Sequence, residues 1–307
     1  VLDLAVVILN YNTRDLLRNC LSSLGEQRGP SVAVTVVDNA SPDDSAAMVE
    51  REFPNFTLIR NPHNSGFSAG NNLGLRRFGF PDLAQARYAL LLNPDTVVPA
   101  GALGNMVAFA DAHPDAGVVG PKLLLMDGTL DKACRRAFPT PEVSFYRFTG
   151  LSKLFPNNPR FGRYNMTFLD EDTTADVDSV VGACMLVRAE AIARVGLLDE
   201  QFFMYGEDLD WCLRIKNTPL PSEPASRPGG QPAKTYRVVY YPGVIIHHVK
   251  RAASSQSAKA KFEFQRAMWL FYRKHYQADT GPVVDVLVRA GLALRGGRAL
   301  AHEMRKH

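Results

Sequence analysis

Three short apolar runs constrain the fold of this chain more than any other feature. LAVVIL occupies Leu4–Leu9, VAVTVV occupies Val32–Val37 and YALLL occupies Tyr88–Leu92. Each run stops abruptly at polar turn residues. These are Asn10-Tyr11-Asn12, Asp38-Asn39-Ala40-Ser41 and Asn93-Pro94-Asp95. Strands without polar alternation are buried on both faces, as in a parallel sheet. The intervening segments read as helices. Thr13 or Asp15 is placed to cap one through Leu24, Ser41 one through Glu52 and Ser68 one through Phe78. Strand and helix in alternation predict a doubly wound α/β sheet, in which ligands bind beyond the carboxyl ends of strands. Asn, Asp, Ser and Pro are common turn formers in their own right. Three such clusters in succession along one edge nevertheless mark a candidate binding site.

The rest of the chain extends this pattern. Residues 99–131 read as a helix, a strand at Gly117–Val119 and a turn at Asp127-Gly128. Residues 139–175 lack periodicity and read as a long, partly mobile loop region. A strand over Asp178–Val187, a short helix over Glu190–Val195 and a helix over Glu207–Ile215 follow. The segment 217–234 carries five prolines and a Gly pair, and reads as an exposed flexible insertion. A strand at Tyr236–Ile246 and an aromatic-rich helix at Ala258–Tyr276 complete the domain.

Composition narrows the classes available. The chain has 307 residues, 46% of them hydrophobic and 21% charged, which suits a globular protein with a substantial core. The four cysteines are scattered without a CxxC pair, against a zinc ribbon or a disulfide framework and in keeping with a reducing, cytoplasmic setting. No apolar run is long enough to span a bilayer. Val1 leads directly into a strand-like segment, so no signal peptide is expected. The net charge is +4, and residues 273–307 alone hold seven Lys/Arg against three Asp/Glu. The main body is therefore balanced and has no basic footprint for nucleic acid.

Six segments occur in one order: VVILNYN (6–12), VVDNAS (36–41), NSGFSAGNNLGL (64–75), LLLNPDTVV (90–98), GACMLVR (182–188) and GLLDEQFFMYGEDLDWCLR (196–214). Together they resemble glycosyltransferase family 2, in its branch of rhamnosyltransferases and related cell-envelope sugar transferases. The resemblance spans about residues 4–275. It implies the α/β GT-A fold, a Rossmann-like, mostly parallel central sheet flanked by helices, here with a C-terminal helical extension. It divides the chain into a nucleotide-sugar-binding half (1–98), an acceptor-binding and catalytic half (99–276) and a basic tail (277–307). It also implies inversion at the anomeric carbon, a nucleotide-diphosphate sugar donor, with dTDP or UDP favoured, and a Mg or Mn ion.

By this resemblance Asp38 accepts the imide N–H of a uracil or thymine ring, a donor flanked by two carbonyls. Asn10 and Asn12 lie beside it. Asn64, Gly66 and Asn71 belong to a Gly/Asn-rich loop entering a helix, where backbone N–H groups can meet an anion. Asn93-Pro94-Asp95 stands where the family has DxD. Asp95 is the expected metal ligand, with Asn93 replacing the first carboxylate. Asp208, in Glu207-Asp208, is the expected catalytic base for the acceptor hydroxyl. Phe202, Phe203 and Tyr205 are candidates to wall the sugar, and Asp210 and Arg214 are spaced to pair within one helix. A second metal ligand is expected from His248 or His247. Neighbours in a strand face opposite ways, so one of them points inward. Lys250 or Arg251 is an alternative partner for the diphosphate.

The expected acceptor is a glycan or a polyprenyl-linked glycan. The run VVDVLVRAGLAL (283–294) with its basic flanks is expected either to lie on the inner face of the cell membrane or to dock on protein, the catalytic domain or a second subunit. Two rivals stand beside the transferase reading. A dehydrogenase would need GxGxxG after the first strand, where this chain has NYNTRD. A non-catalytic nucleotide-sugar-binding protein on the same fold would not need Asp38, Asp95 and Asp208 together.

Overall fold

The structure, a computed structural model, describes residues 1–223, 232–250 and 257–305. The chain opens with β1 (Leu2–Asn10), α1 (Arg14–Gly25), β2 (Val32–Asp38), α2 (Ser45–Glu52), β3 (Thr57–Arg60), α3 (Gly66–Arg77), β4 (Ala86–Leu92) and β5 (Thr96–Val97). It continues through α4 (Ala102–Ala112), β6 (Ala116–Leu124), α5 (Pro141–Phe148), α6 (Leu151–Leu154), β7 (Ala175–Val177), β8 (Cys184–Arg188) and α7 (Ala189–Val195). It closes with α8 (Glu207–Lys216), β9 (Arg237–His248), α9 (Ala258–His275) and α10 (Pro282–Arg305), the last bent at Gly297.

The strands form one nine-stranded sheet in the order β3-β2-β1-β4-β8-β6-β9-β5, with β7 on the flank of β9. The first four are parallel, β8 runs antiparallel between β4 and β6, and β6 and β9 are again parallel. This is the α/β architecture expected of the sequence. The three apolar runs lie side by side, and Leu4–Ile8 are wholly buried, as both-face burial requires. In the register, Asn10 stands opposite Asp38 and Val7 opposite Leu91, so the three polar clusters share one edge. Helix α3 packs close over β1. A Cβ on Gly74 would come within 2.4 Å of Val7, so only glycine fits there without displacement. All four cysteines are buried and free.

Several boundaries differ from the sequence reading, each for a local reason. Thr13 precedes α1 as expected, but its hydroxyl donates to Asn10 Oδ1 (2.6 Å) and not to a helix end. Ser41 does not cap α2, because its Oγ already accepts from Asn10 Nδ2 and the Asn12 N–H, both at 3.0 Å; Asp44 takes the cap position. Helix α3 starts after Ser65, and Ser68 is buried inside it. Residues 139–175 are not one long loop. Thr140 caps α5 by accepting from the Val143 N–H, and Val143, Tyr146, Tyr164 and Met166 are buried beneath it. Of the Pro-rich insertion, the ends pair, with Leu220 N–H donating to the Lys234 carbonyl (2.9 Å). Its residues 224–231 lie outside the described residues.

The basic tail docks on the α/β domain through α9. Leu300 and Met304 of α10 are buried with Trp269 and Tyr272 of α9 in a small second core. Arg266 bonds Glu303 (2.7 Å) across this seam. No helix among the described residues is long and apolar enough to cross a membrane.

Helix α9 is also tied to α8 through Asp210, whose side chain is fully buried. It accepts from Arg214 Nε (2.8 Å) and His275 Nε2 (2.7 Å), with Lys274 Nζ at 2.8 Å. The Asp210–Arg214 pair is the one the helical spacing anticipates. Burial opposes its charge, but the hydrogen bond from His275 and the charges of Arg214 and Lys274 prevail and hold its pKa down to about 2, against 3.8. The folded pKa is depressed. The stabilisation is therefore present above pH 3.8 and lost as the pH falls toward about 2, a shift equivalent to roughly 2 kcal/mol. Asp210→Asn should lower stability at neutral pH by about 3 kcal/mol, the scale for breaking a buried pair. It should also flatten the stability–pH curve below pH 4. Urea melts at several pH values check both, and an unchanged midpoint would show that Arg214, Lys274 and His275 do not depend on this carboxylate.

Candidate active site

The edge formed by β1, β2 and β4 gathers the residues nominated for the donor. Asp38 is buried, with Oδ1 accepting from Asn10 Nδ2 (3.0 Å) and Oδ2 from the Ser41 N–H (3.0 Å). The carboxylate is thus fixed by its neighbours on β1 and in the turn after β2. Asn12 sits at positive φ (56°), bonded through its N–H to Ser41. Asn39, which the sequence reading passed over, organises the adjoining loop. Its Oδ1 accepts from Asn61 Nδ2 (2.8 Å) and the Ser65 N–H (3.1 Å), and its Nδ2 donates to Asn64 Oδ1 (2.9 Å).

The start of α3 differs from the expected anion cradle. The Gly66 N–H donates to Asn64 Oδ1 (3.0 Å) and the Phe67 N–H to the Phe203 carbonyl (2.6 Å), so these donors already have partners. Gly66 is required for another reason: at φ 86°, a Cβ would lie 2.5 Å from the Phe203 carbonyl oxygen. Asn71 is buried and turned back on its own helix, donating to the Phe67 carbonyl (2.9 Å). Asn64, Gly66 and Asn71 therefore shape the loop and lock it to residue 203.

The second cluster is made by β5 and β9, which pair antiparallel with Thr96 opposite His248. His248 is buried and His247 exposed, as strand alternation requires. His248 Nε2 stands 3.3 Å from Asp95 Oδ1, and its Nδ1 is 2.9 Å from Asp131 Oδ2. Burial opposes a charged imidazole, yet the bonds to Asp131 and Asp95 push its pKa up to about 9. Asp131 was absent from the sequence reading. The turn at Asp127-Gly128 folds the chain back so that Leu130 bridges Leu124, which returns Asp131 to the end of β6. Lys250 Nζ bonds Asp131 (3.1 Å), so its charge is directed at this carboxylate. Arg251 lies outside the described residues.

The donor set here has the chemistry of a partial site for a hard divalent cation. One imidazole nitrogen and one carboxylate face each other, and the second imidazole nitrogen is oriented by a further carboxylate, as in many metal-bound histidines. No group of three or more ligating side chains occurs among the described residues. The residues thus fit a Mg or Mn ion that takes its remaining ligands from a diphosphate and water.

The third cluster sits at the start of α8. Asp208 is buried, with Oδ2 2.6 Å from Arg136 Nη2 and 3.2 Å from the Gly182 N–H. Arg136 is the other residue missed from sequence. A bridge between Arg136 and Ser179 brings it in, and Asp208 outweighs burial and raises its pKa. Glu207 is buried as well, and its Oε2 has no partner. Burial, then the charge of Asp208, pushes its pKa far up, which favours the neutral acid. Tyr205 enters this helix at φ 71°, a costly conformation for a tyrosine, and meets Phe264 edge-on at 5.7 Å. Phe202 is fully buried in the core and cannot wall a sugar, whereas Phe203 is partly exposed with Lys259 over its ring.

Two consecutive residues join the clusters. The Gly182 N–H donates to Asp208, and the Ala183 carbonyl accepts from the Asn93 N–H (2.8 Å). The Asn93-Pro94-Asp95 turn and the Glu207-Asp208 pair therefore flank the entry to β8.

Comparison with known proteins gives the family and the fold. The sequence model of Glycosyl transferase family 2 matches residues 5–192, a span that includes Asp38 and Asp95 and ends before Asp208. The chain is 24% identical to the N-acetylglucosaminyl-diphospho-decaprenol L-rhamnosyltransferase of Mycobacterium tuberculosis, over 99% of this chain and 94% of that protein. In fold it resembles S. aureus TarS 1-349 in complex with UDP (TM-score 0.55, 17% identity, 95% of this chain and 70% of that one). It also resembles the mannosyltransferase PcManGT of Pyrobaculum calidifontis in complex with GDP-Man and Mn2+ (TM-score 0.57, 16% identity, 96% and 74%). These likenesses establish the GT-A fold.

The buried Arg136–Asp208 pair should behave as a unit. Arg136→Met alone should destabilise the protein by about 3–5 kcal/mol, because it leaves the Asp208 charge buried without its partner. Adding Asp208→Asn should recover much of that loss. Denaturant melts of the two single variants and the double variant form the cycle. Additive effects would mean that the two groups do not interact.

Proposed function

Because the chain belongs to glycosyl transferase family 2, we propose that it is an inverting, metal-dependent sugar transferase. It moves a sugar, with dTDP-linked rhamnose favoured, from a nucleotide-diphosphate donor to a hydroxyl of a polyprenyl-linked glycan at the cytoplasmic face of the membrane. The observation that carries this reading is the link through residues 182–183 between the Asp95–His248 pair and Asp208. The full-length likeness to a rhamnosyltransferase named for a decaprenol-linked acceptor supports the choice of sugar and acceptor.

In this reading Asp38 receives the base, and Asn10 and Ser41 hold its carboxylate in place. Asp95 and His248 hold the cation, and Asp131 orients the imidazole. A divalent ion there supplies charge neutralisation for the departing nucleoside diphosphate. Asp208 accepts the proton of the acceptor hydroxyl as that oxygen attacks the anomeric carbon. Arg136 holds the Asp208 carboxylate in place, which makes it a positioning residue. Glu207, held neutral, is placed to donate a hydrogen bond on the acceptor side. Lys250, bonded to Asp131 beside His248, is a candidate partner for an incoming phosphate.

Asp208→Asn should lower kcat by about 10²–10⁴, the range for a lost general base, with nucleotide affinity nearly unchanged. Titration calorimetry with dTDP or UDP beside a transfer assay tests this. Wild-type turnover would remove Asp208 from the role.

Asp95→Ala should weaken nucleoside-diphosphate binding when Mn2+ is present and leave the weak metal-free binding as it was. Thermal shift with nucleotide sugars, with and without Mn2+, reads the difference, since a ligand of the folded state raises Tm. Full activity in EDTA would overturn the metal assignment.

A further inference from the structure

A groove of about 720 Å³ lies between α5, α9 and α10. Its volume is in the range of about 300–1,000 Å³ usual for small-molecule sites. Its walls are mostly apolar. Phe148 comes from α5, Phe264 and Met268 from α9, and Val284, Leu287 and Leu292 from α10. Leu287 in its wall is 65% exposed, and the apolar surface continues outside it at Leu294, 78% exposed. A terminal helix that only needed to dock would bury such residues. Here α10 buries Leu300 and Met304, beyond its bend at Gly297, on α9, and leaves apolar residues before the bend on the groove.

Two further features identify an occupant. The groove adjoins the acceptor side of the site: Phe264, in its wall, packs edge-on against Tyr205, which leads into Glu207 and Asp208. Tyr164, also in the wall, accepts through its carbonyl the N–H of Ala137, next to Arg136. The rim is cationic. Arg147 lies over Tyr164 (4.2 Å) and Arg295 over Phe148 (4.5 Å), and neither makes an ion pair with a described residue. The one carboxylate in the lining, Glu142, is paired with Arg160 (2.8 Å).

We propose that this groove is a binding site for the isoprenoid chain of the acceptor, with Arg147 and Arg295 receiving its phosphate. The inference rests on the lipid-linked acceptor proposed above and adds where the lipid is held. An extended apolar chain with an anionic head matches an apolar trough with two cations on its rim and its inner end near the catalytic base.

The test uses the full chain and geranylgeranyl monophosphate below its micellar concentration as probe. Wild-type protein should bind it, and Leu287→Glu and Val284→Glu, both at exposed positions, should weaken binding at least tenfold with Tm unchanged. Arg147→Gln with Arg295→Gln should weaken binding of the phosphate but not of geranylgeraniol. Equal affinity of wild type and both Glu variants would overturn the proposal. So would a wild-type dimer that Leu287→Glu dissociates without any lipid binding, because the groove would then be an interface between copies. dTDP or UDP binding is measured on the same samples. Lipid failure with nucleotide binding intact removes the groove alone, whereas failure of both removes the functional reading beneath it.

Discussion

A two-residue antiparallel pairing, Thr96–Val97 of β5 against His247–His248 of β9, determines whether this molecule has a site at all. Asp95 arrives from the parallel half of the sheet and His248 from the last strand of the other half. Neither is near the other in sequence, and each alone is a polar residue at a strand end. Pairing at this register sets the imidazole against the carboxylate. A slip of one residue would present His247, because strand side chains alternate. The Val249 N–H bonded to the Asp95 carbonyl (2.8 Å) extends the pairing past the cluster and holds the register there.

The other constraint is how the fold accommodates buried acids. Glu207, Asp208 and Asp210 all lie in the first turn of α8 and all are buried. A helix N-terminus favours negative charge by about 0.3–1 kcal/mol per group, too little to offset burial of three carboxylates. Each is handled differently. Asp210 meets Arg214, Lys274 and His275 and fixes α8 to α9. Asp208 has a single guanidinium and a backbone N–H, which fix its carboxylate at the junction with residues 182–183. Glu207 is held toward the neutral acid by burial first and by the charge of Asp208 second. Unequal pairing thus gives three neighbouring acids three different settings on one helix turn.

Much of this was legible in the sequence. The apolar runs gave the strands because burial on both faces leaves a composition signal, and the motif order gave the family. Alternation in β9 correctly limited the inward-facing histidine to one. Asp131 and Arg136 were not legible, since each acts through a contact across the fold and neither sits in a quoted motif. A hairpin after β6 delivers Asp131, and a backbone bridge to Ser179 delivers Arg136. The Asp127-Gly128 turn hinted at the first of these; nothing in the sequence hinted at the second. Caps failed where a serine had a better partner, as with Ser41 between Asn10 and Asn12. Gly66 shows the same limit. Its need for glycine was visible, but the reason, the approach of the Phe203 carbonyl, is a tertiary contact.

The reading of residues 139–175 as loop failed for a related reason. Helices α5 and α6 are short and weakly periodic, and their apolar residues are divided between two duties. Val143 and Tyr146 face the domain, while Phe145 and Phe148 face outward. A pattern that serves two surfaces does not resolve into one amphipathic stripe. Helix α10 divides its apolar residues along its length: Leu300 and Met304, beyond the bend at Gly297, pack on α9, and Val283, Leu287 and Leu294, before it, stay exposed. Segments from the middle and the end of the chain thus each carry a second apolar face, and the fold sets them on the two sides of one groove. Two such faces meeting by accident is less economical an account than one shared ligand, and in the function proposed here that coincidence of surfaces ties the end of the chain to Asp208.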